Sequence, residues 1–357
     1  MEAKYHTGIG TTAGSMMIKW VELDKHIAHI LSDPSDNVNV FINFESILDN
    51  LSHRRNVLQM IVNFKQQFVL EMESAILNVA ANYRMYFKKH QKNCKIFFYY
   101  TDLTSDKQIM RTYKKYYRKF YFNKYNNNPQ YRDILQIVKR NIIKEVELIC
   151  QYIDSVYFVR AKGFDSSIIP KMLEGDNNVI ITTDRFDTLY HFDGNITPIY
   201  LCRDKGIRTM ISDLDSMILY LLKDDDVSRT TQNMFHNKLY YQLLLLSIGD
   251  VYRNIDVIRE LKTDQMVLLL QESMKSGSIL MEYTSLTPIM DIFPKKHVEM
   301  ISENYRCMSL DTHEEMLTNG DREYVQTQLV DKIDVASLSS LNNRRFLEFP
   351  LNLQGLM

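Results

Sequence analysis

Val179–Leu189 reads VIITTDRFDTL, an apolar run of β-branched residues that ends in Thr182-Thr183 and is followed by two aspartates, Asp184 and Asp187. Branching at Cβ suits a short buried strand. Open α/β sheets bind ligands beyond the carboxyl ends of their strands, and many hydrolytic sites hold metal on carboxylates delivered there. What stands at the other strand ends decides whether such a site is complete.

Outward from Val179 the chain alternates. Val38–Ile42 (VNVFI), Lys95–Tyr100 (KIFFYY), Val156–Arg160 (VYFVR), Val179–Thr182 and Thr197–Leu201 read as strands. Met16–Leu31 has helical periodicity through Met17, Trp20, Leu23, Ile27 and Ile30, and Asp33-Pro34-Ser35-Asp36 breaks it. Phe44–Lys92 reads as one or two long helices, and Asp106–Phe122, Gln130–Ile153 and Ser166–Leu173 as further ones. This order predicts an α/β fold with a mostly parallel central sheet flanked by helices. From about Met210 the chain reads as helical, including Thr231–Ile248, Asp264–Ser273, His297–Asn304 and Arg322–Ile333. The expected organisation is an N-terminal arm and helix over 1–36, an α/β core over 37–262 and a helical C-terminal extension over 263–357.

The 357 residues suffice for about two domains. With 45% hydrophobic and 24% charged residues the composition is globular. Lys and Arg total 43 against 44 Asp and Glu, so any affinity for nucleic acid must come from a local patch. Cys94, Cys150, Cys202 and Cys307 are far apart, without CxxC spacing, and read as reduced, mostly buried thiols. The start, MEAKYHTGIG, has no basic-then-apolar leader pattern, and the most apolar stretch, Leu239–Ile248, is too short to span a bilayer. A cytoplasmic location without a membrane partner is therefore expected. The abundance of Asn, Lys, Ile and Tyr would fit a viral source, in which case the location is the host cytoplasm or the virion.

The strand ends carry a series. The first gives Asn43 and Glu45, the second Thr101 and Asp102, and the third Gly163-Phe164-Asp165-Ser166-Ser167. The fourth gives Asp184 and Asp187, and Gly249-Asp250-Val251-Tyr252-Arg253-Asn254-Ile255 follows further on. In order and spacing over residues 38–256, this series resembles the 5′-nuclease superfamily, meaning flap endonucleases, phage 5′-exonucleases and PIN-domain nucleases. The resemblance implies a PIN/flap-endonuclease-like fold and phosphodiester hydrolysis assisted by Mg²⁺ or Mn²⁺. It assigns Asp102, Asp184, Asp187 and Asp250 as catalytic, and Asp102, Asp165, Asp184 and Asp250 as metal ligands, if the chain is active.

The departures bear on that condition. Asn43 replaces the family's first aspartate. Phe164, Ser166 and Ser167 stand where three carboxylates would be, and Arg253 replaces the last. Amides, hydroxyls and an arginine hold a hard cation poorly, so no resident metal is expected. The remaining aspartates would then cap helices and turns, with Arg253 pairing to Asp184 or Asp250.

Lys107–Arg132 contains no acidic residue and interleaves cations with aromatic rings. Cations track phosphates and rings stack on unpaired bases. In the resembling family this is the position of a helical arch. Arg111, Lys114, Lys115, Arg118, Lys119 and Tyr117 are the candidate nucleic-acid contacts, against the plainer alternative of a solvated basic helix face. His297 and His313 lack a second histidine at metal-binding spacing, and Ser166-Ser167 lack a nucleophile elbow.

The reading is a catalytically inactive 5′-nuclease-like protein that binds single-stranded or flapped nucleic acid, or serves in assembly, for example of a phage. The alternatives are an active metal-dependent 5′ nuclease with a reduced carboxylate site and a purely structural protein. Protein partners would meet the C-terminal helical region.

Overall fold

A computed structural model of the chain describes residues 20–44, 46–47, 76–102, 129–192, 194–204, 207–223, 245, 298, 314–315 and 317–329. The backbone forms two compact units. One comprises Met1–Ser105, Tyr125–Met210 and Leu317–Met357, and the other Asp106–Lys124 and Ile211–Met316.

The first unit is built on a sheet. Its strands are β1 (Asn37–Asn43), β2 (Asn93–Asp102), β3 (Val156–Lys162), β4 (Asn178–Thr182), β5 (Ile196–Asp204) and β6 (Ile207–Ile211), the last ending at the unit boundary. The six lie in the order β3-β2-β1-β4-β5-β6. The pairs β3–β2, β2–β1, β1–β4 and β4–β5 are all parallel. Only two residues separate β5 from β6, too few for a crossover, so these neighbours run antiparallel. The mostly parallel α/β architecture expected from the sequence is present. Every residue of β4, NVIIT, is buried, as a strand covered on both faces requires.

Alternation along the strands sorts the side chains onto two faces. On one face Val38, Val40, Ile42, Ile96, Phe98, Val156, Phe158, Val179 and Ile181 form the main core. That core also takes in Leu23, Ile27 and Ile30 from helices α1 (Trp20–His26) and α2 (Ala28–Ser32). It further includes Tyr83 and Phe87 from the helical stretch 76–89, α3, and Ile142 and Val146 from α4 (Pro129–Cys150). On the other face the register aligns Ile180, Phe41, Phe97 and Tyr157 across four strands. Phe41 stacks on Phe97 at 5.0 Å between ring centroids, and Phe97 on Tyr157 at 5.1 Å. That face also carries Asn43, Tyr99, Thr101 and Thr182 at the strand ends, two or four residues beyond the aromatic rung.

Two readings from the sequence differ from the structure. The expected helix Met16–Leu31 is two helices, with Ile27 at φ −118° between them, although the bond from the Leu31 amide to the Ile27 carbonyl persists at 3.0 Å. Met210 lies in β6 rather than at the start of a helical region. Ile207, Thr209 and Ile211 branch at Cβ and extend the sheet beyond β5. The expected helix Asp106–Phe122 lies outside the described residues, and those between Thr231 and Asn304 lie almost wholly outside them.

Connections at the N-terminal ends are asparagine-rich. Asn178, fully buried, donates to the Gly175 carbonyl at 2.8 Å and accepts from the Gly175 amide at 2.8 Å. Lys92 donates to the carbonyls of Asp33 (2.5 Å) and Ser35 (2.7 Å). A donating Ser35 amide, then the Asn177 amide, holds the Asp33 carboxyl below its ordinary pKa. In the second unit, Asp213 accepts from the Ser216 amide at 2.7 Å ahead of the helix Leu214–Lys223.

Candidate functional site

The polar ends of β1, β2 and β4 converge on Asp187. This residue stands in the first turn of the short helix Arg185–His191, which begins three residues after β4 ends, and it is fully buried. Its Oδ2 accepts three hydrogen bonds, from Asn43 Nδ2 at 2.5 Å, Thr182 Oγ1 at 2.7 Å and the Tyr99 hydroxyl at 2.8 Å. These donors come from β1, β4 and β2 and share one face because of their parity in the strands. A buried carboxylate is tolerated when several donors replace its hydration. Burial raises the Tyr99 phenol well above its ordinary value, and the Asp187 carboxylate adds to the effect. The phenol therefore stays protonated and donates.

Asn43 has its other end committed as well. Its Oδ1 accepts from the Ser46 amide at 3.1 Å, capping the turn that follows β1. Ser46 Oγ accepts from the Thr183 amide at 3.3 Å, and Thr182 Oγ1 accepts from the Asp184 amide at 2.9 Å. The amides after β4 thus bond to hydroxyls, while the hydroxyl of Thr182 bonds to Asp187. Asp184 is half-buried ahead of the helix, close enough to Tyr99 to add to its raised pKa.

A second buried group lies beside the first. Thr101 Oγ1 donates to Ser166 Oγ at 2.8 Å and accepts from the Ser166 amide at 3.1 Å. Asp165 accepts from the Ser167 amide at 2.9 Å and the Ser167 hydroxyl at 2.8 Å, capping the 3₁₀ turn Ser166–Ile168. His191 Nε2 lies 3.1 Å from the Ser167 carbonyl, which can only accept, so this nitrogen carries a proton. Phe164 is buried ahead of this turn.

Asp102 does not join Asp187. Thr101 shares its parity with Tyr99, whereas Asp102 shares that of Phe98 and Tyr100 and belongs to the opposite face. There it lies 3.9 Å from Arg160 Nη1, and Arg160 Nη2 bonds Glu147 of α4. Tyr324 of the helix Asn319–Thr327 lies beside the same cluster. Its phenol is raised chiefly by burial, with Arg160 opposing and Asp102 and Glu147 adding.

The sequence reading brought Asn43, Asp165, Ser166, Ser167, Asp184 and Asp187 to one end of the sheet, and all are found there. It missed Tyr99 and Thr182, whose alternation with Phe97 and Ile180 was the available signal, and it missed Arg160 and Glu147 as partners near Asp102. Asp250, Arg253, the side chain of Glu45, and Arg111, Lys114, Lys115, Tyr117, Arg118 and Lys119 lie outside the described residues.

The described residues do not fit a hard divalent cation. Such ions want several oxygen ligands in open geometry. Asn43 turns its NH₂ toward Asp187 and its oxygen toward a backbone amide, and Oδ2 of Asp187 already has three donors. Among the described residues no group of three His, Cys, Asp or Glu side chains is arranged to hold a metal. None of their helices is long and apolar enough to cross a membrane.

The sheet order, the parallel pairing and the convergent strand ends define a 5′-nuclease fold. The flap endonuclease of bacteriophage T5, solved as a pseudo-enzyme–product complex with DNA and metal ions, matches with a TM-score of 0.51 and 12% identity over 82% of this chain and 98% of that one. A structure of the same phage protein co-crystallised with metal ions has a TM-score of 0.49 and 12% identity over the same shares. No protein-family model and no curated protein matches the chain.

Proposed function

We propose that this chain is a catalytically inactive 5′-nuclease-like protein that binds single-stranded or flapped nucleic acid. The observation carrying the inactive half is the use made of the strand-end carboxylates. Asp187 is saturated on Oδ2 by an amide and two hydroxyls, Asp165 caps a turn, and Asp102 faces Arg160 on the other side of the sheet. A two-metal site needs these groups together and open, so that the ions can activate water and stabilise the leaving oxygen.

Support for binding comes from Lys107–Arg132, where cations alternate with aromatic rings in a chain of near-zero net charge. The phage protein of like fold holds DNA. Arg111, Lys114, Lys115, Arg118 and Lys119 would contact phosphates, and Tyr117 would stack on a base. Fluorescence anisotropy with a labelled single strand tests this across salt. Affinity should fall with salt by a log–log slope of about 0.7 per phosphate contacted, and Lys114→Ala with Arg118→Ala should flatten that slope. Affinity indifferent to both substitutions would discard the basic segment as the binding surface.

A further inference from the structure

The end strand of the sheet is closed by a side chain. β3 is the first strand in the order, with β2 on one side. On its other side the Arg160 amide donates to Gln328 Oε1 at 2.8 Å, and Gln328 Nε2 donates to the Arg160 carbonyl at 3.0 Å. A primary amide presents one acceptor and two donors, so it reproduces the bond pair that a neighbouring strand would make. Gln328 also donates to the Tyr324 carbonyl at 3.2 Å, which fixes the amide to the helix carrying it.

That edge invites pairing. Val156-Tyr157-Phe158-Val159 is apolar and rich in strand-forming residues, and such an edge is a template for another strand unless guarded. Charge is a common guard, but the guanidinium of Arg160 is bonded to Glu147 and lies within reach of Asp102. The helix Asn319–Thr327 buries only Asp321 and Val325. At 9 residues it is too short to persist alone in water. Gln328 is 168 residues from Arg160, and between them the chain leaves for the other compact unit over Ile211–Met316. A small, distant element of this kind opens without unfolding the core.

From these observations we infer that residues 317–329 form a detachable strap that keeps β3 from pairing with β3 of a second copy of this chain. The same edge on two copies is self-complementary in antiparallel register, so release of the strap gives a two-fold dimer through continuous sheet. Nothing in this depends on whether the chain binds nucleic acid.

Gln328→Ala removes both bonds to Arg160 without altering β3. Thr318→Ala provides a second route, because Thr318 forms a capping box with Asp321 at the helix start and makes no bond to β3 in this network. Hydrogen exchange of the Arg160 amide reads strap docking, and sedimentation of the full chain reads pairing. Both variants should exchange the Arg160 amide at least tenfold faster than the parent, leave the Phe41 and Ile180 amides unchanged, and dimerise at lower concentration. Unchanged exchange at Arg160, parallel acceleration at Phe41 and Ile180, or unaltered self-association would each overturn the inference.

Discussion

Asn43 puts a donor where the fold's relatives by pattern put a charge, and the chemistry around it follows. Its NH₂ stabilises the Asp187 carboxylate without a cation, at 2.5 Å. Asn43→Asp would set two carboxylates against each other in a buried site, costing about 3 kcal/mol at neutral pH. The pair could keep one proton, so one folded-state pKa would rise above its unfolded value. The penalty should then shrink as the pH falls through that raised value, and urea denaturation at pH 7 and pH 5 measures it. Tyr99→Phe removes one of three donors to Oδ2 and should cost about 1–3 kcal/mol in the same assay, with little change in pH dependence. The positions of these residues were legible in the sequence, because each ends an apolar run. Their partners were not. Alternation in KIFFYYTD places Thr101 and Asp102 on opposite faces, but which face receives the helix carrying Glu147 depends on packing between distant segments.

At the scale of elements, burial on both faces governs. β4 is paired by β1 on one side and β5 on the other, and all five of its residues are buried. Ile180→Ala opens a cavity beside the stacked rings of Phe41 and Phe97 and should cost about 2–5 kcal/mol, read as a lowered urea midpoint with unchanged slope. Five strands were readable from β-branched and aromatic runs bounded by polar residues. β6 was not, because IRTMI has few apolar residues and forms its strand through pairing with β5. The 3₁₀ turn at Ser166–Ile168 was read as the start of a helix, and the Asp165 cap explains why the chain turns there.

Over the whole molecule, buried phenols set the alkaline limit of the fold. Burial raises Tyr83 and Tyr99 above the ordinary value of about 10. Since the folded-state value exceeds the unfolded one, this stability is fully present below about pH 10 and is lost as the pH rises beyond it. Tyrosinate absorbance should therefore appear in step with unfolding rather than ahead of it. The central claim concerns catalysis. Purified chain incubated with a 5′-flapped DNA and Mg²⁺ or Mn²⁺, beside an Asp184→Ala control, tests it most directly. The account predicts product no greater for the parent than for the variant, whereas metal-dependent cleavage by the parent that disappears in Asp184→Ala would contradict it.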